Sequence, residues 1–158
     1  RLIKMITLAR VDERLIHGQV AYSWTKAYPS DAVIAIDSQS AKDDMQKTLL
    51  KMACPKNMKC FVASEEQSVE ILNKYPNKKF FLVAKHPKSY LYLLEHGIKM
   101  DSVNVGGIYF KEGRKQYTNT VYLDEDTKDI ILKIHDKGVY IDGRTTPSDP
   151  ELDLVCKF

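Results

Sequence analysis

The sequence predicts an α/β fold: a three-layer, open, mainly parallel β-sheet with helices on both faces. Short apolar, β-branched runs recur along the chain, and segments of helical period separate them. The run at 32–36, AVIAI, is apolar at every position, as a strand buried on both faces requires. No repeat, linker or low-complexity stretch interrupts the alternation, so residues 1–158 read as one domain.

Taken in order, residues 3–9 form a first strand, and the polar stretch from Arg10 to Arg14 follows it. Val20, Trp24 and Ala27 then recur at helical spacing up to Pro29. After strand 32–36, Ser40 with Asp43 has the spacing of a capping box, and Met45, Leu49 and Met52 share the face of a helix closed by Pro55. Residues 60–63 are a strand, and Ser64 with Gln67 opens a helix carrying Val69, Leu72 and Tyr75. Strand 79–84 leads to Pro87, placed where a helix can begin, with Leu91 and Leu94 on one face and Gly97 at its end. Residues 102–105 form a short strand ending at Gly106-Gly107, and 118–123 another. Asp124 caps a helix carrying Thr127, Ile131 and Ile134, which Gly138 ends. Strand 139–141 and a polar, turn-rich tail complete the chain.

Composition narrows the function. Lys and Arg outnumber Asp and Glu by 24 to 21, with the signs interspersed, which does not suit a nucleic-acid binder. Cys54, Cys60 and Cys156 match neither a zinc spacing nor a disulfide framework and read as small buried residues in a reducing cytosol. No apolar run reaches a membrane span, and the first residues lack the order of a signal peptide. There is no GxGxxG, P-loop or GxSxG pattern, and no cofactor or metal is called for. Trp24, Phe80, Phe81, Tyr90 and Tyr92 are spaced as core residues rather than stacking platforms.

In such sheets ligands bind beyond the carboxyl ends of the strands, and the segment from Arg10 to His17 is the densest polar stretch there. A neutral His17 is a nucleophile near pH 7, able to attack phosphorus in line. Arg10 and Arg14 supply forked donors for the oxygens, and the start of the next helix supplies backbone N–H groups. Gly18 leaves room beside the ring. Asp12 either accepts the second ring N–H of His17 or orients Arg10. Gly106-Gly107 reads equally as a plain turn or as a site of close approach. His86 follows a strand and lies at the same edge, whereas His96 and His135 fall late in helices, where the helix dipole accounts for them.

ARVDERLIHGQV at 9–20 closely resembles the start of the IIB domain of the mannose/fructose/sorbose family of the bacterial sugar phosphotransferase system. The likeness continues through KTLLKMACP at 47–55, VNVGG at 103–107, TVYLDE at 120–125, Gly138, Arg144 and PSD at 147–149. The resemblance implies a protein-phosphohistidine–sugar phosphotransferase. His17 would take a phosphoryl group, on Nδ1, from a phosphorylated IIA partner and pass it to a sugar bound by the membrane components IIC and IID. It implies that Arg10 is the favoured phosphate contact, that Arg14 serves docking, and that the chain is cytoplasmic, held at the inner membrane face by IIC and IID. Self-association is left open. Two segments depart from the family pattern: AIDSQSAKDD at 35–44, and Ile108-Tyr109-Phe110, which replace a smaller polar run. Two rival readings are a magnesium-dependent phosphatase using Asp37 or Asp43, and a regulatory domain that binds a phosphorylated partner without carrying the group.

Overall fold

The computed structural model describes residues 5–158. Eight strands and six helices alternate: β1 (Ile6–Asp12), α1 (Gly18–Ala27), β2 (Ala32–Ile36), α2 (Ser38–Lys42), α3 (Asp44–Ala53), β3 (Lys59–Ala63), α4 (Glu65–Lys74), β4 (Phe80–Ala84), α5 (Lys88–Glu95), β5 (Ser102–Gly107), β6 (Lys115–Thr118), β7 (Val121–Leu123), α6 (Glu125–Asp136) and β8 (Tyr140–Asp142). A 3₁₀ turn at Leu154–Lys157 follows. Six strands form one sheet in the order β3-β2-β4-β1-β5-β8, every pair parallel, while β6 and β7 make a separate antiparallel hairpin.

The strand period divides the core in two. Ala32, Ile34 and Ile36 of β2, with Phe80, Leu82 and Ala84 of β4, face a cluster completed by Leu72 of α4, Leu93 of α5, and Ile131 and Ile134 of α6. Val33, Ala35, Phe81 and Val83 face the other side, against Trp24 of α1 and Leu50 of α3. Both faces of β2 and β4 are therefore buried, which explains their uninterrupted apolar sequences. Chain connections leave β1 and β4 on opposite faces, through α1 and α5. The carboxyl ends of these adjacent strands thus make the crevice where such sheets bind ligands.

Ser64 and Gln67 form the reciprocal cap the sequence suggests, at 3.1 and 3.0 Å. Other details differ. Residues 3 and 4 of the expected first strand lie outside the described residues, and the strand runs on to Asp12 because Arg10 and Asp12 are buried and pair with each other. Ser40 with Asp43 is not a capping box. Asp37 caps α2 through the Ser40 amide and hydroxyl, and Asp43 caps α3 through the amides of Met45 and Gln46. The expected single helix is thereby two, sharing Asp43 as C-cap and N-cap. Met45 and Met52 are 74% and 77% exposed, and Leu50 is the residue of α3 that enters the core. Gly106 and Gly107 belong to β5 rather than to a turn. Cys54 is buried and Cys60 half-buried, but Cys156 is exposed. No helix among the described residues is long and apolar enough to cross a membrane.

Candidate functional site

Between β1 and α1 the chain turns sharply, the Leu15 amide donating to the Asp12 carbonyl at 2.9 Å. Leu15 takes a left-handed conformation, φ 58°, which costs a non-glycine residue about 1–2 kcal/mol. Burial of Leu15 and Ile16 against Leu8, Trp24, Val33 and Val83 holds this conformation in place. Gly18 follows at φ 43° with open space around its Cα, so backbone conformation rather than crowding favours glycine there.

His17 is thereby presented as the N-cap of α1. Its side chain makes no capping bond, and the first turn of the helix carries no acidic residue. The amide donors of that turn are left for an anion, with the helix dipole favouring negative charge. The ring is partly exposed, its Nδ1 3.5 Å from the Leu15 carbonyl, while Nε2 is turned inward with no partner among the described residues. Gly18, the next residue, lines an open depression with Gln19, Tyr22, Met52 and Pro55.

Beneath the loop lies a charged network. Arg10 Nη2 donates to Asp12 Oδ2 at 3.1 Å and Nη1 to Asn104 Oδ1 at 2.6 Å. Asn104 passes the contact on, donating to Asp142 Oδ2 at 3.1 Å and to the Arg144 carbonyl at 2.9 Å. Arg144 Nε closes on Asp142. The Trp24 ring lies against both guanidinium groups, with Cζ of Arg10 and Arg144 at 5.1 and 5.6 Å from its centroid. The buried Tyr90 hydroxyl donates to the Arg10 carbonyl at 2.6 Å. Burial lowers the Arg10 pKa from the usual arginine value, and Asp12 opposes that shift. A Cβ at Gly106 would collide with the Arg10 guanidinium, and one at Gly107 with Asp12 and Tyr109. Both glycines therefore serve close approach, with no left-handed φ at either.

No hydrogen bond joins Asp12 to His17 among the described residues. Besides Arg10, its carboxylate accepts the Arg14 amide at 3.0 Å and the Tyr109 hydroxyl at 3.3 Å, and it lies 3.6 Å from Arg14 Nε. Of the two contacts left open for Asp12, the one formed here is with Arg10. The two arginines also differ sharply: the Arg10 side chain is 3% exposed and committed inward, that of Arg14 51% exposed. The Arg14 guanidinium lies over the Tyr109 ring, 4.5 Å from its centroid.

The next residue, Glu13, ties the loop to the segment after β5. It accepts the Tyr109 amide at 2.8 Å and both Nη groups of Arg114 at 3.0 and 2.9 Å. Burial alone would raise the Glu13 carboxyl, but hydrogen bonds from Arg114 and Tyr109 outweigh it and hold the pKa below the ordinary value. His86 stands at the same sheet edge, its Nδ1 accepting the Lys88 amide at 3.0 Å, and burial lowers its pKa. Asp37 and Asp43 are spent on helix caps, and no group of three metal-ligating side chains occurs among the described residues.

Residue types alone marked His17, Arg10, Asp12 and Arg14. They did not reveal that Asn104, Asp142, Tyr109 and Arg114 complete the surroundings. VNVGG, which holds Asn104, and Arg144 stood out in sequence, but their contacts to Arg10 and Asp142 depend on tertiary structure.

Residues 6–157 match the family described as the PTS system sorbose subfamily IIB component. The chain is 39% identical over 156 residues to the sorbose-specific EIIB component of Lacticaseibacillus casei, covering 98% of this chain and 95% of that protein. It is 35% identical over 159 residues to the mannose-specific EIIAB component of Escherichia coli strain K12, spanning 98% of this chain and 49% of that longer protein. The crystal structure of the IIB domain of the sorbose permease from Klebsiella pneumoniae matches with a TM-score of 0.93 at 33% identity, covering 98% of this chain and 96% of that one. The chain belongs to the sorbose-subfamily IIB components of the phosphotransferase system, and its function is phosphoryl transfer in sugar uptake.

Proposed function

We propose that His17 is the residue that carries the phosphoryl group, on Nδ1, between a phosphorylated IIA partner and a sugar held by the membrane components IIC and IID. The observation that carries this reading is the position of His17 at an uncapped helix N-terminus with its ring partly exposed. The inward turn of Nε2 supports Nδ1 as the reacting atom. Its 3.5 Å approach to the Leu15 carbonyl is at the outer limit of a hydrogen bond and is released at little cost.

In the first transfer the Nδ1 lone pair attacks phosphorus while the donor's N–P bond breaks, and its electron pair returns to the donor imidazole. In the second, a sugar hydroxyl oxygen attacks phosphorus, the His17 N–P bond breaks with its electron pair returning to Nδ1, and the hydroxyl proton passes to solvent. Amide groups of the first turn of α1 stabilise the charge on the phosphoryl oxygens throughout. Arg14 takes the role of phosphate contact, because its guanidinium faces solvent. Arg10 and Asp12 act as the rigid footing of the loop. The sugar is a hexose of the class named for the relatives, sorbose or mannose, and the chain works at the inner membrane face through IIC and IID.

The test is intact-mass measurement after incubation with phosphoenolpyruvate, the two general phosphotransferase proteins and a cognate IIA. One acid-labile phosphoryl group on wild type and none on His17→Gln is expected. A phosphorylated IIA that leaves wild type unlabelled would overturn the reading and favour a purely regulatory domain.

A further inference from the structure

We propose that Tyr109 is a positioning residue for transfer, a platform that sets the Arg14 guanidinium where its free fork meets the phosphoryl oxygens. This rests on His17 being the carrier.

Three observations meet here. Arg14 has lateral contacts but no terminal ones: Nε lies 3.6 Å from Asp12, while neither Nη group has a hydrogen-bond partner among the described residues. A half-exposed arginine with free ends samples many rotamers unless a surface holds it, and the Tyr109 ring, 4.5 Å from Cζ, is that surface. Tyr109 is itself fixed. Its amide donates to Glu13 Oε1 at 2.8 Å, its carbonyl accepts from Arg114 Nη1 at 2.6 Å, and its hydroxyl reaches Asp12 at 3.3 Å across the space that Gly107 leaves. Burial and the neighbouring Asp12 raise the Tyr109 pKa, which keeps the hydroxyl a donor to that carboxylate.

Seated over the ring, the guanidinium keeps its Nη groups unbonded and available to two oxygens of one phosphoryl group. The order this imposes on Arg14 exists before the donor arrives, so its benefit appears in the transfer step rather than in partner binding.

The experiment measures the rate of His17 labelling by phospho-IIA for wild type, Tyr109→Leu, Tyr109→Phe, Arg14→Ala and the Arg14→Ala/Tyr109→Leu pair, with His17→Gln as the blank and melting curves for each. Leucine keeps apolar bulk without the aromatic face, and phenylalanine keeps the face without the hydroxyl. Tyr109→Leu is expected to lower kcat about five-fold, the size a partly exposed cation–π contact supports, with KM for phospho-IIA within about two-fold of wild type. Tyr109→Phe recovers most of that rate. In the Arg14→Ala background Tyr109→Leu has no further effect, since its role runs through Arg14. A Tyr109→Leu loss that persists in that background, one that appears only in KM, or undiminished labelling overturns the assignment. Label that survives His17→Gln overturns the carrier reading itself.

Discussion

Arg10 and Asp12, two residues apart on β1, point to the same face of the strand and close a 3.1 Å ion pair sealed from solvent. Neither charge is left uncompensated: Asn104 takes the second Nη group of Arg10, and the Arg14 amide and Tyr109 hydroxyl bond to the other oxygen of Asp12. Removing one partner from such a pair leaves a buried charge, which costs far more than the pair contributes relative to an apolar substitute. Arg10→Ala should therefore destabilise the protein by about 3 kcal/mol. Urea unfolding at pH 7 measures it, and a change under about 1 kcal/mol would refute the footing assigned to Arg10.

The same pair dictates what Gly106 tolerates. An added Cβ would meet the guanidinium of Arg10, whose movement means giving up its bonds to Asn104 and Asp12. Gly106→Ala is expected to cost about 2 kcal/mol in the wild type and close to nothing when Arg10 is already alanine. Equal costs in both backgrounds would show that the collision lies with something other than Arg10.

Acid should loosen the Glu13 clamp. The folded carboxyl titrates below its ordinary 4.5, so ionised Glu13 stabilises the fold fully above that pH. This contribution fades as pH falls through the lower folded value. Arg114→Gln should cost about 1 kcal/mol at pH 7, and the difference from wild type should shrink as pH is taken below about 4. Melting curves at the two pH values test this; a gap that widens in acid contradicts the assigned pairing.

On α3 the expected contrast is between neighbours. Leu50→Ala should cost about 3 kcal/mol because Leu50 packs against the sheet, whereas Met45→Gln and Met52→Gln should each stay within about 0.5 kcal/mol. Chemical unfolding of the three variants measures it.

That contrast shows where sequence reading stops. The alternation of strands and helices was legible because β2 and β4 are buried on both faces and so are apolar throughout. The phase of α3 was not, since Met45, Leu49 and Met52 make as regular an apolar stripe as any core face. Its exposure depends on Leu50 reaching the sheet instead. The end of β1 is hidden in the sequence for a related reason. Charged residues ordinarily mark a loop, and the partner that lets Arg10 stay in the strand, Asn104, is 94 residues away. His17 stood out from its neighbours, but the commitment of Asp12 to Arg10, and the inward turn of Arg10 itself, depend on contacts between β1 and β5.

The hairpin of β6 and β7 forms no part of the six-stranded sheet. Val121 bridges to Ile108, just past the end of β5, and the segment between β5 and β6 reaches the His17 loop through the side chains of Tyr109 and Arg114. Val121 and Leu123 of β7 anchor this unit in the core, while the residues of β6 are exposed or half-buried. Residues 109–120 can therefore be varied around the histidine while the six strands of the main sheet keep their register. A chimera carrying this segment from a relative should melt cooperatively, with its preference among IIA donors following the graft.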